Sequence, residues 1–129
     1  MKKLILAAAL MTFTPVAAFA EGDATKGAKV FKKCKACHAV GEKAKNRVGP
    51  ILNGIVGREA AMVEGYKYSK AMKASGLTWD EETLASYLAN PRKAVKGTKM
   101  AFAGLKKEAD LENIIAYLGQ FDVDGKKAE

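Results

Sequence analysis

Cys34-Lys35-Ala36-Cys37-His38 decides how this chain is built. Cys-x-x-Cys-His is the attachment signature of a c-type haem. Two thiols add across the two vinyl groups on one porphyrin edge, and two intervening residues let a single helical turn span that edge. The adjacent His38 then lies under the ring, where an imidazole nitrogen can bind iron. His38 is the only histidine, and Cys34 and Cys37 are the only cysteines.

That exclusivity weakens the competing readings. A zinc site wants four ligands, usually with a second Cys or His pair, and the chain has none to offer. A thioredoxin-like redox pair expects the motif beside a βαβ pattern, which the sequence lacks. A structural disulfide stays open, since two cysteines in an exported protein often pair; such a protein would be colourless.

Upstream of the motif, Met1-Lys2-Lys3 is a positive head and Leu4 to Phe13 is an apolar run broken only by Thr12. Ala18-Phe19-Ala20 is a small-x-small cleavage site, so residues 1–20 read as a secretory signal peptide. A membrane anchor would need about 20 apolar residues, and Thr12, Thr14 and Pro15 interrupt this stretch. Haem attachment takes place after export, on the oxidising side of a bacterial membrane, so motif and leader agree on the periplasm. The domain then covers residues 21–129 and starts at Glu21.

A chain of this length makes one domain and not two. Its formal charge of +8 becomes +6 without Lys2 and Lys3. Small domains bury only a modest share of their surface. A large, flat apolar haem would supply much of the missing core, so the unattached chain is expected to fold poorly.

The periodicity predicts helices joined by Gly-rich loops. Asp23 can cap a first helix through about Lys35, with Gly27 and Phe31 four apart on one face. Gly41, Gly49, Pro50, Gly54, Gly57 and Gly65 mark an irregular loop. A short helical turn spans Ser69–Ala74. Thr78-Trp79-Asp80-Glu81 reads as a capping box for a helix that Asn90-Pro91 ends, with Leu84, Tyr87 and Leu88 facing inward. A last helix from about Lys107 to Phe121 places Leu111, Ile114, Ile115 and Leu118 at i, i+3, i+4 and i+7. No strand signal stands out, and the Lys/Gly tail after Asp122 is expected to fray. The fold class is all-α.

Iron in a haem takes two axial ligands. With no second histidine, the other candidates are a methionine thioether, a lysine amine, water, or nothing. Met62 lies in the glycine-rich loop, and Met72 in an amphipathic turn where methionine usually fills core. Met100, in Lys96-Gly97-Thr98-Lys99-Met100-Ala101-Phe102-Ala103-Gly104, sits on a segment bounded by glycines that can fold over the ring. Sequence logic favours Met100 as ligand over mere core packing.

Val48-Gly49-Pro50, Leu52-Asn53-Gly54, Gly57-Arg58, Gly65-Tyr66-Lys67-Tyr68-Ser69, Gly76-Leu77-Thr78-Trp79, Tyr87-Leu88, Asn90-Pro91 and Gly97-Thr98-Lys99-Met100 complete a pattern. Together with the Cys34–His38 motif they resemble class I c-type cytochromes of the cytochrome c2 group, which are similar to mitochondrial cytochrome c. The likeness runs from Gly27-x-x-x-Phe31 to Ile114-Ile115-Ala116-Tyr117-Leu118. It implies a small cytochrome c fold whose N- and C-terminal helices cross, with one covalent haem c and iron held by His38 and Met100. It further implies that the Pro50 carbonyl accepts a hydrogen bond from the ligand imidazole. Gly27 and Phe31 would pack the first helix against the last. Arg58, Tyr68 and Trp79, with Thr98, would hold a haem propionate, and the Tyr87 hydroxyl would reach the methionine sulfur. One departure stands out. Where mitochondrial-type relatives carry an asparagine that holds a buried water, this chain has Met72, which implies a drier pocket.

A haem with both axial positions filled has no open site for substrate or oxygen. That argues for a one-electron carrier and against an enzyme, the rival being a haem enzyme or sensor in which Met100 does not stay bound. By resemblance, Lys33, Arg47, Arg92, Lys93, Lys99, Lys106 and Lys107 surround the haem edge and steer a monomer to acidic docking surfaces of membrane complexes. Those partners would be a cytochrome bc1 complex and either a photosynthetic reaction centre or a terminal oxidase. Export and the lack of a binding motif argue against nucleic acid.

Overall fold

The computed structural model describes residues 22–128. The leader read at 1–20 and the expected start at Glu21 lie outside those residues. Five short α-helices carry the chain: α1 (Ala24–Val30), α2 (Lys70–Ala74), α3 (Glu81–Ala89), α4 (Pro91–Ala94) and α5 (Glu108–Leu118). Among the described residues there are no strands, only isolated antiparallel bridges at Glu59–Thr78 and Phe121–Lys127. No helix among them is long and apolar enough to cross a membrane.

Side-chain caps decide where most helices begin. Asp23 Oδ1 accepts the Lys26 amide at 3.0 Å, Ser69 Oγ the Met72 amide at 3.0 Å, and Asp80 Oδ1 the Thr83 amide at 2.7 Å. The cap of α3 is therefore Asp80, not the Thr78 of the expected capping box. Thr78 is committed elsewhere, bridging to Glu59 while the Trp79 amide donates to the Arg58 carbonyl at 2.8 Å. Asn90 both ends α3 and caps α4, with Pro91 at the first helical position.

The α1 helix ends at Val30 and tightens into a 3₁₀ turn over Phe31–Lys33, which leads directly into Cys34. Before that turn α1 lies directly on α5, and only glycine permits the approach. A Cβ at Gly27 would overlap the Asn113 carbonyl and sit 2.6 Å from Tyr117 Cβ. Beside this contact Phe31 and Tyr117 stack at 5.1 Å between centroids. Ile114, Ile115 and Leu118 of α5 are buried, whereas Leu111 is half-buried.

The tail does not fray. Asp122 Oδ1 accepts the Asp124 and Lys126 amides at 2.9 Å each, and the Ala128 amide donates to the Gln120 carbonyl at 2.8 Å. The resulting turn lays Gly125, buried and at φ +80°, against Gly41 and Asn53. Composition pointed to a loose end; a local carboxylate and one glycine that fits a neighbouring loop hold it instead.

Candidate haem site

Most of the buried apolar side chains border a cavity as well as one another. Ile55, Met72, Trp79, Leu84, Tyr87, Leu88, Ile114 and Leu118 belong to the core and also wall a cavity of about 440 Å³. Cys34, Cys37, His38, Pro50, Arg58, Tyr68, Thr98 and Met100 line the same cavity. The fold thus brings together every residue that the sequence singled out for a cofactor. A shallower hollow of about 830 Å³ beside Ala39–Ala44 and Gly125–Lys127 is largely open to solvent and contains no histidine, cysteine or methionine.

The Cys34–His38 turn is fixed by its own backbone: the Cys37 and His38 amides donate to the Cys34 carbonyl at 3.1 and 2.9 Å. Both thiols are unpaired and half-buried at the cavity wall, and burial raises the Cys34 thiol above its ordinary range against the smaller opposing pull of Lys33. His38 Nδ1 lies 2.8 Å from the Pro50 carbonyl. A carbonyl can only accept, so Nδ1 carries the proton and Nε2 keeps its lone pair for a metal. Burial lowers the imidazole below its ordinary value, outweighing the hydrogen bond to Pro50, and so favours the neutral, ligating form. Gly49 makes room for the ring: a Cβ there would lie 2.7 Å from Nδ1 and 2.8 Å from Nε2.

Met100 reaches the cavity on a loop pinned to the end of α3, where the Leu105 amide donates to the Leu88 carbonyl at 2.8 Å. Gly104, at φ +107°, passes so close to Ala89 that a Cβ would touch its carbonyl. Met72 is buried at the cavity wall, while Met62 is 62% exposed; of the described methionines, Met72 and Met100 can reach a ligand in the cavity. The Tyr87 hydroxyl pairs with Thr98 Oγ1 at 2.8 Å, and not with the Met100 sulfur as the resemblance implied. Thr98 Oγ1 in turn accepts the Met100 amide at 3.5 Å, so Tyr87 bears on Met100 through Thr98. Burial raises the Tyr87 phenol, partly offset by Thr98.

Arg58 shows that the cavity suits an anionic apolar group. Its Nη1 donates to the Asn53 carbonyl at 2.8 Å and its Nη2 to the Ile51 carbonyl at 3.4 Å, yet Nε is buried without a partner. Burial lowers its pKa from the ordinary arginine value, with Tyr68 opposing. A cation held at an otherwise apolar wall is costly without a counter-charge, and a haem carboxylate would supply one. The Tyr68 hydroxyl accepts the Val63 amide at 3.1 Å and keeps its own proton to donate. Trp79 packs against Tyr87 with the rings inclined at 57°, 4.9 Å between centroids. Haem c fits these residues: two thiols at the wall, a pre-oriented imidazole, a thioether, an apolar lining and an unpaired cation.

The basic residues are less gathered. Lys33, Arg47, Arg92, Lys93, Lys99, Lys106 and Lys107 are all exposed, but only Lys33 and Lys99 line the cavity. Lys99 Nζ donates to the Lys67 carbonyl and lies 4.5 Å over the Tyr66 ring. Arg47 and Lys106 bond backbone carbonyls of Lys35 and of Ala89 and Ala103. Residue-level reasoning missed Asn46, which joins two loops through the Glu64 carbonyl and the Ile51 amide, both at 3.0 Å. It also gave no role to Tyr66, whose hydroxyl donates to the Val48 carbonyl at 2.7 Å. Polar loop residues of this kind carry no periodic signal.

Comparison with known proteins agrees with this geometry. The family profile described as Cytochrome c matches residues 24–122. A cytochrome c2 of Rhodoblastus acidophilus is 58% identical over 106 residues, covering 82% of this chain and 99% of that protein. A cytochrome c-550 of Nitrobacter winogradskyi is 55% identical over 105 residues, covering 81% and 96%. Among solved structures, cytochrome cH from Methylobacterium extorquens is similar with a TM-score of 0.72 and 49% identity, covering 76% of this chain and 98% of that one. Cytochrome c2 from Rhodospirillum centenum gives 0.73 and 42%, covering 78% and 99%. Motif, cavity and relatives converge: the chain belongs to the cytochrome c family, as a class I electron-carrier cytochrome with one haem c on Cys34 and Cys37.

Proposed function

We propose that this cytochrome is a periplasmic one-electron shuttle in which His38 and Met100 both ligate the haem iron. The observation that carries this reading is that a pre-oriented His38 imidazole and the Met100 thioether share one apolar cavity with the two attachment thiols. Haem c supplies one-electron exchange between ferric and ferrous iron when bound. The chain's own part is to hold it fixed and dry. Leu84, Leu88, Ile114 and Leu118 would exclude water, Pro50 sets the orientation and basicity of His38, and Arg58, Tyr68 and Trp79 would hold a propionate, with Thr98 in the same polar region. His/Met ligation is known in cytochromes c to raise the potential. With both axial positions taken, substrate has nowhere to bind, which supports a carrier and not an enzyme.

The optical spectrum, ferric and dithionite-reduced, with and without carbon monoxide, tests the ligation. The wild-type protein is expected to show the weak far-red ferric band of methionine ligation and to ignore carbon monoxide. Met100→Ala is expected to lose that band and to shift its reduced spectrum on adding the gas. A wild-type protein that itself shifts with carbon monoxide would replace the shuttle with an enzyme or sensor.

The leader pattern at 1–20 and the cytochrome c2 relatives support the periplasm and a monomer that travels between membrane complexes. Family resemblance points to a cytochrome bc1 donor and a reaction centre or terminal oxidase as acceptor. Lys33 and Lys99, which line the cavity, would meet acidic surfaces on both, with the exposed Arg47, Arg92, Lys93, Lys106 and Lys107 adding to the positive field by resemblance. Lys99→Glu is expected to slow association with such a partner about tenfold at low ionic strength, and Lys126→Glu to do much less. Equal slowing at the two positions, measured by stopped flow, would reduce the lysines to a solubility role.

A further inference from the structure

Asn53 is the buried polar side chain of the core among the described residues, 8% exposed, and both halves of its amide are occupied. Its Oδ1 accepts the Gly41 amide and its Nδ2 donates to the Gly41 carbonyl, each at 2.9 Å. Two-point bonding removes the freedom of the side chain and fixes the backbone around it. That backbone carbonyl is the acceptor for Arg58 Nη1 at 2.8 Å. A guanidinium is planar and rigid, so pinning its outer edge sets where Nε–H points. Nε is the buried nitrogen without a partner, on a residue that lines the cavity. Gly125 closes the clamp from the far side. Its backbone N–H donates a hydrogen bond to the Asp122 carbonyl at 3.0 Å, and a Cβ on it would overlap Gly41 and come within 2.7 Å of Asn53 Nδ2.

We propose that Asn53, braced by Gly125 of the C-terminal turn, is a positioning residue that holds the Arg58 guanidinium at the cavity wall beside a haem carboxylate and so helps set the reduction potential. This rests on the reading that Arg58 faces a propionate. Loosening Arg58 leaves the carboxylate charge less neutralised, which favours ferric iron and lowers the potential.

The test is spectroelectrochemistry on the holoprotein, with the Arg58 Nε–H signal followed by NMR. Asn53→Leu is expected to shift the redox equilibrium about tenfold toward ferric, about 59 mV for one electron, and to speed solvent exchange of that N–H. Gly125→Ala should move both in the same direction by less. Gly76→Ala, also at positive φ but with nothing within 4 Å of its Cβ, should move neither and isolates backbone strain. Lower melting temperatures with unchanged potential and exchange would make the clamp purely structural and overturn the proposal; if Asn53→Leu does not fold, Gly125→Ala decides. Arg58→Leu separates the levels. No shift on that variant removes the propionate reading itself, whereas a shift there without one at Asn53 and Gly125 removes only the clamp.

Discussion

Cys34→Ala/Cys37→Ala, produced without haem, is expected to show weak helical circular dichroism and no cooperative thermal transition. The reason lies in where the core sits. Leu84, Leu88, Ile114 and Leu118 are buried, but the face they share borders the cavity of about 440 Å³. Without haem those apolar walls stay exposed to water, and each large apolar side chain left unburied forfeits about 1.5–3 kcal/mol. Whole domains are stable by only about 5–15 kcal/mol. The walls would therefore collapse, and α3 and α5 would lose the surface that orders them. A sharp two-state melt from the double variant, with native helicity, would show that the α1–α5 contact sustains the fold alone.

How much of this was legible in the sequence follows from the range of each interaction. The Cys34–His38 turn and the α5 face are local patterns, and the structure reproduces both. Local patterns also misled. Thr78-Trp79-Asp80-Glu81 satisfies a capping box, yet Asp80 caps α3 because the Glu59 strand of loop, far off in sequence, claims Thr78. The α4 helix is too short for a periodic signal, although Asn90-Pro91 is a cap followed by a favoured first residue. The ordered tail depends on Gly125 fitting against Gly41, a contact invisible to composition. At the site, residue types suggested the ligands, but only the fold reveals that Arg58 keeps one buried nitrogen unpaired or that Tyr87 pairs with Thr98. Those facts depend on loops that are far apart in sequence and meet only around the cavity.

Gly27→Val is the second large effect, and it acts far from the iron. The Cα of Gly27 sits where α1 crosses α5, with no room for a β-carbon beside the Asn113 carbonyl and Tyr117 Cβ. Neither obstacle is a flexible side-chain end. One is backbone in mid-helix, and the other is the rigid root of a ring that packs tilted against Phe31 and edge-on against Phe121, at 5.4 Å. The helices must separate, and overpacking of this kind costs about 1–3 kcal/mol, occasionally more. Because backbone has to move, the upper end or beyond is expected, a fall in melting temperature of at least about 10 °C for a domain of this size. Lys26→Val, exposed on the same helix, carries the same β-branched penalty without the clash and is expected to cost under about 1 kcal/mol. The displacement also reaches the chemistry. Phe31–Lys33 runs straight from α1 into Cys34, so lifting α1 moves the first attachment thiol away from the cavity wall. Purified Gly27→Val is thus expected in low yield, because fewer chains mature. Those molecules that do carry haem should show a normal spectrum, since His38 and Met100 are held by Pro50 and by the end of α3. Matching melting temperatures for Gly27→Val and Lys26→Val would mean that the helices have slack at their crossing, and that glycine there serves neither packing nor maturation.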